Sequence, residues 1–65
     1  MQVFDVQGMT CGHCVKAVTR AVQALDAAAR VEVDLAAGRV QVQSGLADER
    51  ILAAIREEGY EAVVG

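Results

Sequence analysis

The 65-residue sequence predicts an α+β domain with the element order strand, helix, strand, strand, helix, strand. Two observations carry this prediction. Short runs alternate Val, Phe or Leu with polar residues, which is the period of a half-buried strand. Two longer runs repeat apolar residues at steps of three and four, which is the period of an amphipathic helix.

The first strand is Gln2 to Gln7. Phe4 and Val6 fall on one side, Asp5 and Gln7 on the other, and Val3 breaks the pattern only mildly. A loop follows, from Gly8 to about Gly12. From His13 to about Ala24 the period changes to that of a helix. Val15, Val18, Val22 and Leu25 form its apolar stripe, and Lys16, Thr19, Arg20 and Gln23 its polar face. Ala17, Ala21 and Ala24 add helix propensity and permit close packing. Asp26 to Ala29 reads as a connection without a strong turn signal. Val31, Val33 and Leu35 alternate with Glu32 and Asp34, giving the second strand. Ala36-Ala37-Gly38-Arg39 is a turn in which Gly38 is available for positive φ. Val40 and Val42 alternate with Gln41 and Gln43 in the third strand, so the second and third strands form a hairpin. After Ser44-Gly45, the run from Ala47 to Glu58 is the second helix. Ile51, Leu52 and Ile55 mark its buried face, and Asp48 and Glu49 lie in its first turn, where the helix dipole favours acids. Gly59 is the helix stop. Tyr60 to Val64 is the last strand. One four-stranded antiparallel sheet with two helices on one face, the ferredoxin-like arrangement, accommodates this order. No linker, low-complexity tract or second domain is visible, so residues 1–65 are expected to form a single domain.

Composition bounds the function. The chain is 54% hydrophobic and 23% charged, which is globular rather than disordered. The net charge of −3 lacks the basic footprint that nucleic-acid binding needs. No apolar run approaches the roughly 20 residues that span a bilayer. Met1 leads directly into a strand pattern, with no basic and then apolar leader. The expectation is a cytoplasmic protein with reduced thiols, no nucleic-acid partner and no direct membrane insertion.

The chemistry concentrates in Gly8-Met9-Thr10-Cys11-Gly12-His13-Cys14, which holds both cysteines, the single histidine and two of the six glycines. Two cysteines this close make a poor structural staple, since they close almost no loop. Their thiolates are soft donors that select Cu(I), zinc and iron–sulfur clusters over hard cations. Zinc calls for four ligands in a tetrahedron, and two sulfurs supply only half of that. Cu(I) tolerates two. Cys11 is expected in the loop, accessible, and Cys14 in the first turn of the first helix. There the positive end of the helix dipole favours the thiolate. Rival readings of the pair are a thioredoxin-like redox centre, half of a zinc site, or inert thiols. The aromatic and proline neighbours of the redox motif are missing, and such an enzyme would normally need a larger fold.

That motif, set after the first strand of a βαββαβ chain, resembles the heavy-metal-associated domain, most closely in the form of the free-standing bacterial copper chaperones. Val31-Glu32-Val33-Asp34-Leu35, the turn at Gly38 and Glu58-Gly59-Tyr60 also sit where that family has equivalents. The connection Asp26-Ala27-Ala28-Ala29 departs from it, since the family often has a glycine there. The resemblance implies that Cys11 and Cys14 bind one Cu(I), and that Met9 packs beneath the loop rather than serving as a thioether ligand. It also implies that Tyr60 shields the metal loop, as bacterial members often carry tyrosine there; simple edge packing is the alternative. His13 has three open roles: a third ligand, an outer-shell tuner or ligand in a dimer, and a solvated loop residue.

Charge adds one expectation. The first helix carries Lys16 and Arg20 and no acid, on a protein that is acidic as a whole. Either this is a solvated helix face, or Lys16 and Arg20 steer docking onto an acidic partner beside the metal loop. Together these observations point to a cytoplasmic Cu(I) chaperone, a carrier and not an enzyme. By the resemblance its acceptor is a copper-transporting P-type ATPase, and a copper-bridged homodimer is a further expectation. The alternatives are an N-terminal metal-binding domain of such an ATPase, a carrier of mercury, zinc or cadmium on the same fold, and a dithiol oxidoreductase.

Overall fold

Alternation and helical periodicity translate directly into elements. The computed structural model describes residues 1–10 and 12–65. Its elements are β1 (Gln2–Gln7), α1 (Gly12–Leu25), β2 (Arg30–Asp34), β3 (Arg39–Gln43), α2 (Asp48–Glu57) and β4 (Glu61–Val64). The strands form one sheet in the order β2-β3-β1-β4, and every pairing is antiparallel. This is the ferredoxin-like arrangement expected from the sequence.

Register sorts side chains by face. Phe4 lies opposite Val40, Val6 opposite Ala62, and Val33 opposite Val40. All are on one side of the sheet, and both helices cover that side. Phe4, Val6, Val18, Val22, Val40, Val42, Ile51 and Ile55 are buried together, with Ala29, Leu52 and Ala62. Val31 and Val33 pack against this cluster from β2 at the edge. The opposite face carries the intervening polar residues, and cross-strand neighbours Asp5 and Arg39 form an ion pair at 3.6 Å. Among the described residues no polar side chain is buried.

Four details differ from the expectation. The second strand ends at Asp34, and Leu35 begins the turn rather than ending the strand. The Asp34 carboxylate accepts a hydrogen bond from the Ala37 N–H, and the Leu35 carbonyl accepts one from the Gly38 N–H, which together fold the turn early. Gly38 takes φ 65, and its carbonyl accepts the Val6 N–H at 2.7 Å. A Cβ there would lie 3.0 Å from the Val6 carbonyl oxygen, so close approach and backbone angle both call for glycine. The connection after α1 is also well built: the Asp26 carboxylate accepts the Ala28 N–H, and the Asp26 carbonyl accepts the Ala29 N–H. This Asx turn returns the chain under the core at buried Ala29. Finally, Leu25, expected on the buried stripe, is the last residue of α1 and is exposed. β4 starts at Glu61, leaving Tyr60 in the preceding loop.

Candidate metal centre

β1 is a central strand, paired on both edges, and the motif leaves from its C-terminal end. A loop anchored this way is held by a rigid element, which is the usual construction of a binding site. Gly8 turns the chain out of β1 with φ 97, an angle that side-chain-bearing residues rarely adopt. Met9 then drops back and packs, partly buried, against the core.

Cys11 lies outside the described residues. The position immediately after it, Gly12, is the first residue of α1, so Cys14 is the third. Cys14 is half-buried, and the first turn of α1 contains no acidic residue. Cys14 therefore shares the first turn of α1 with no acidic side chain, at the helix end whose dipole favours negative charge. His13 is exposed. Lys16 and Arg20 are exposed as well. With His13 they stand at steps of three and four along α1, so all three share one stripe that begins beside the motif.

The second loop at this end is residues 58–60, between α2 and β4. Gly59 takes φ 94, and its N–H bonds the Arg56 carbonyl at 2.9 Å, closing the last turn of α2. The chain then presents Tyr60, partly buried against the core. A Cβ built on Gly8 would lie 3.4 Å from Tyr60 Cδ1. The ring of Tyr60 thus rests on the first residue of the motif, joining two segments that are about fifty residues apart in sequence. Asp5, the one carboxylate near the motif in sequence, is committed to Arg39 on the open sheet face. Among the described residues, no three His, Cys, Asp or Glu side chains come together as a group able to hold a metal.

Two supports of these loops were not read from the sequence. One is the left-handed Gly8, signalled only by a glycine directly after a strand. The other is Arg56, whose Nε and Nη2 donate to the Ala62 carbonyl at 3.2 and 2.8 Å across the Tyr60 loop.

Comparison with known proteins places this geometry. Residues 3–61 match the model of the heavy-metal-associated domain. The copper chaperone CopZ of Staphylococcus aureus is 38% identical over 65 residues, with 95% of this chain and 96% of that protein covered. The structure of the copper chaperone Atx1 from Synechocystis superposes with a TM-score of 0.93 at 38% identity, covering 97% of this chain and all of that one. A copper-binding domain from HMA7, a P-type ATPase, superposes with a TM-score of 0.85 at 26% identity, covering 98% of this chain and 90% of that one. The match across the motif, the sheet and both helices establishes that this chain belongs to the heavy-metal-associated domain family.

Proposed function

We propose that residues 1–65 act as one domain that carries Cu(I) in the cytoplasm and delivers it to a copper-transporting P-type ATPase. The observation that carries this reading is the position of Cys14 in the acid-free first turn of α1, three residues after Cys11 in the motif. A helix start that favours a thiolate, joined to a second cysteine of the same motif, suits a soft monovalent ion held by two sulfurs. Low coordination also suits delivery. A partner thiolate adds to the copper, the ion is briefly shared by three sulfurs, and Cys11 or Cys14 then leaves as a thiolate. Copper stays Cu(I) throughout, so no electron donor is needed, and the reaction is transfer rather than catalysis.

The likeness to CopZ and Atx1, both copper chaperones by name, supports the cargo. The likeness to a copper-binding domain of a P-type ATPase supports the acceptor, since donor and acceptor would then present matching loops. It equally supports a second reading, in which this chain is itself the metal-binding domain of such an ATPase. A homodimer bridged by copper would form where two motif loops share the ion, with His13 as an added ligand. No helix among the described residues is long and apolar enough to cross a membrane.

The test is an anaerobic competition titration of the reduced protein against a colorimetric Cu(I) chelator, run in parallel with Zn(II), Cd(II) and Hg(II). Wild type is expected to withdraw one Cu(I) per chain and to compete weakly for zinc. The Cys11→Ser, Cys14→Ser double variant is expected to lose uptake. Tighter zinc binding, or copper uptake that survives the double substitution, would overturn the two-sulfur Cu(I) site.

A further inference from the structure

The loop that carries Tyr60 to the motif has no ladder of its own, so something else must fix it. On one side stands the end of α2, where the N–H groups of Glu58 and Gly59 close onto the carbonyls of Ile55 and Arg56 at 3.1 and 2.9 Å. On the other stands Ala62, buried and paired with Val6 of β1. Arg56 joins the two sides. Its carbonyl receives the Gly59 N–H, while its guanidinium donates twice to the Ala62 carbonyl. Residues 56–62 are thereby closed into a ring whose outer end is Gly59-Tyr60.

We propose that Arg56 is a positioning residue for metal release. By fixing β4 to the last turn of α2, it holds the Tyr60 ring on Gly8. That contact sets how freely the motif loop opens to an incoming thiolate. The inference rests on the reading of Cys11 and Cys14 as the copper site. A planar fork of donors on one carbonyl fixes direction as well as distance, which a lysine ammonium does not reproduce. The role is therefore separable from the favourable charge that any cation contributes at a helix C-terminus.

Tyr60 is the only tyrosine, and the chain has no tryptophan, so intrinsic emission reports this one ring. The first arm uses the metal-free, reduced protein. Acrylamide quenching of Tyr60 emission is expected to rise in Arg56→Met and to rise part-way in Arg56→Lys, with the far-UV spectrum unchanged. The second arm loads Cu(I) and follows its transfer to a chelator by stopped flow. Arg56→Met is expected to speed transfer about threefold or more, because a loop freed of this contact opens more often to the incoming thiolate. In a Tyr60→Ala background the same substitution is expected to add nothing. Unchanged quenching in Arg56→Met overturns the proposal, as do effects of Arg56→Met and Tyr60→Ala that multiply. If Arg56→Met fails to fold, Arg56→Lys carries both comparisons. Failure of the copper reading appears separately, as a wild-type protein that takes up no Cu(I) while the quenching arm still separates the variants.

Discussion

The aromatic ring of Tyr60 lies against the backbone of Gly8, with Cδ1 3.4 Å from the point where a Cβ on Gly8 would stand. Gly8 is the first residue of the cysteine motif, and Tyr60 is the last residue before the edge strand β4. The contact therefore ties the start of the motif loop to the layer formed by α2 and β4. It also makes a distinction between two glycines of the motif that look equivalent in sequence.

Gly8→Ala is expected to destabilise the fold by about 1–3 kcal/mol, because its φ of 97 is strained for any residue with a Cβ. The contact with Tyr60 is close to ordinary van der Waals distance, so most of that cost is backbone strain. Gly12→Ala is expected to do the opposite. Among the described residues, no atom beyond its chain neighbours and its own helix backbone lies within 4 Å of its Cβ position, and it occupies the first turn of α1, where alanine gains up to about 1 kcal/mol over glycine. Urea midpoints of the two variants check the contrast, and a Gly8→Ala protein as stable as wild type would contradict it.

Lys16 and Arg20 share an exposed stripe with His13 that starts beside Cys14. If this stripe steers docking, Lys16→Glu with Arg20→Glu should slow copper delivery to an acidic acceptor domain about tenfold at low salt. The difference should vanish near 1 M salt, where screening acts over roughly 3 Å. Transfer to a small chelator, which has no docking surface, should be unaffected. Equal rates to the acceptor at low salt would leave these residues as a solvated helix face.

The parts of this fold that are periodic were readable from the chain alone. Phe4 and Val6, Val40 and Val42, and Ile51, Leu52 and Ile55 all fall where their period of two or 3.6 puts them, because burial on one face dictates the pattern. The motif stands out in the sequence because both cysteines and the single histidine crowd into seven residues. What escaped notice depends on a single hydrogen bond or angle. Asp26 looks like any polar residue after a helix, yet its side chain makes the turn. Leu35 continues an alternating run, yet Asp34 ends the strand one residue sooner. Arg56 reads as an ordinary helix-end cation, and only the return of β4 shows what its guanidinium grips.

Asp26→Ala follows from that lesson. It removes the acceptor for the Ala28 N–H in an exposed turn, where a hydrogen bond contributes about 0.5–1.5 kcal/mol. Asp26→Asn keeps an acceptor oxygen and should retain most of the stability. Denaturant unfolding of the pair separates the Asx turn from simple loss of charge, since both variants lose the charge and only one loses the acceptor. Equal midpoints for the two would assign the effect to charge.

Gln2 offers a control at the other end of β1. Its amide nitrogen donates to the Leu46 carbonyl at 2.6 Å and to Asp48 Oδ1 at 2.7 Å, and its amide oxygen accepts the Ser44 hydroxyl at 3.0 Å. The Ser44 oxygen in turn accepts the Leu46 N–H. One side chain thus fixes the whole approach to α2, whose N-cap Ala47 has no side-chain acceptor of its own. Gln2→Ala is expected to cost about 1–2 kcal/mol, since several partners lose a hydrogen bond at once. Gln2→Glu should cost at least as much, because it places a carboxylate against the Leu46 carbonyl and the Asp48 carboxylate. Yet Gln2 is five residues from Gln7, about 17 Å along the strand from the start of the motif loop. Copper stoichiometry and transfer rate should therefore match wild type in both variants while their urea midpoints fall. A change in transfer rate here would mean that loosening either end of the sheet reaches the metal loop, and the selective role assigned to Arg56 would lose its basis.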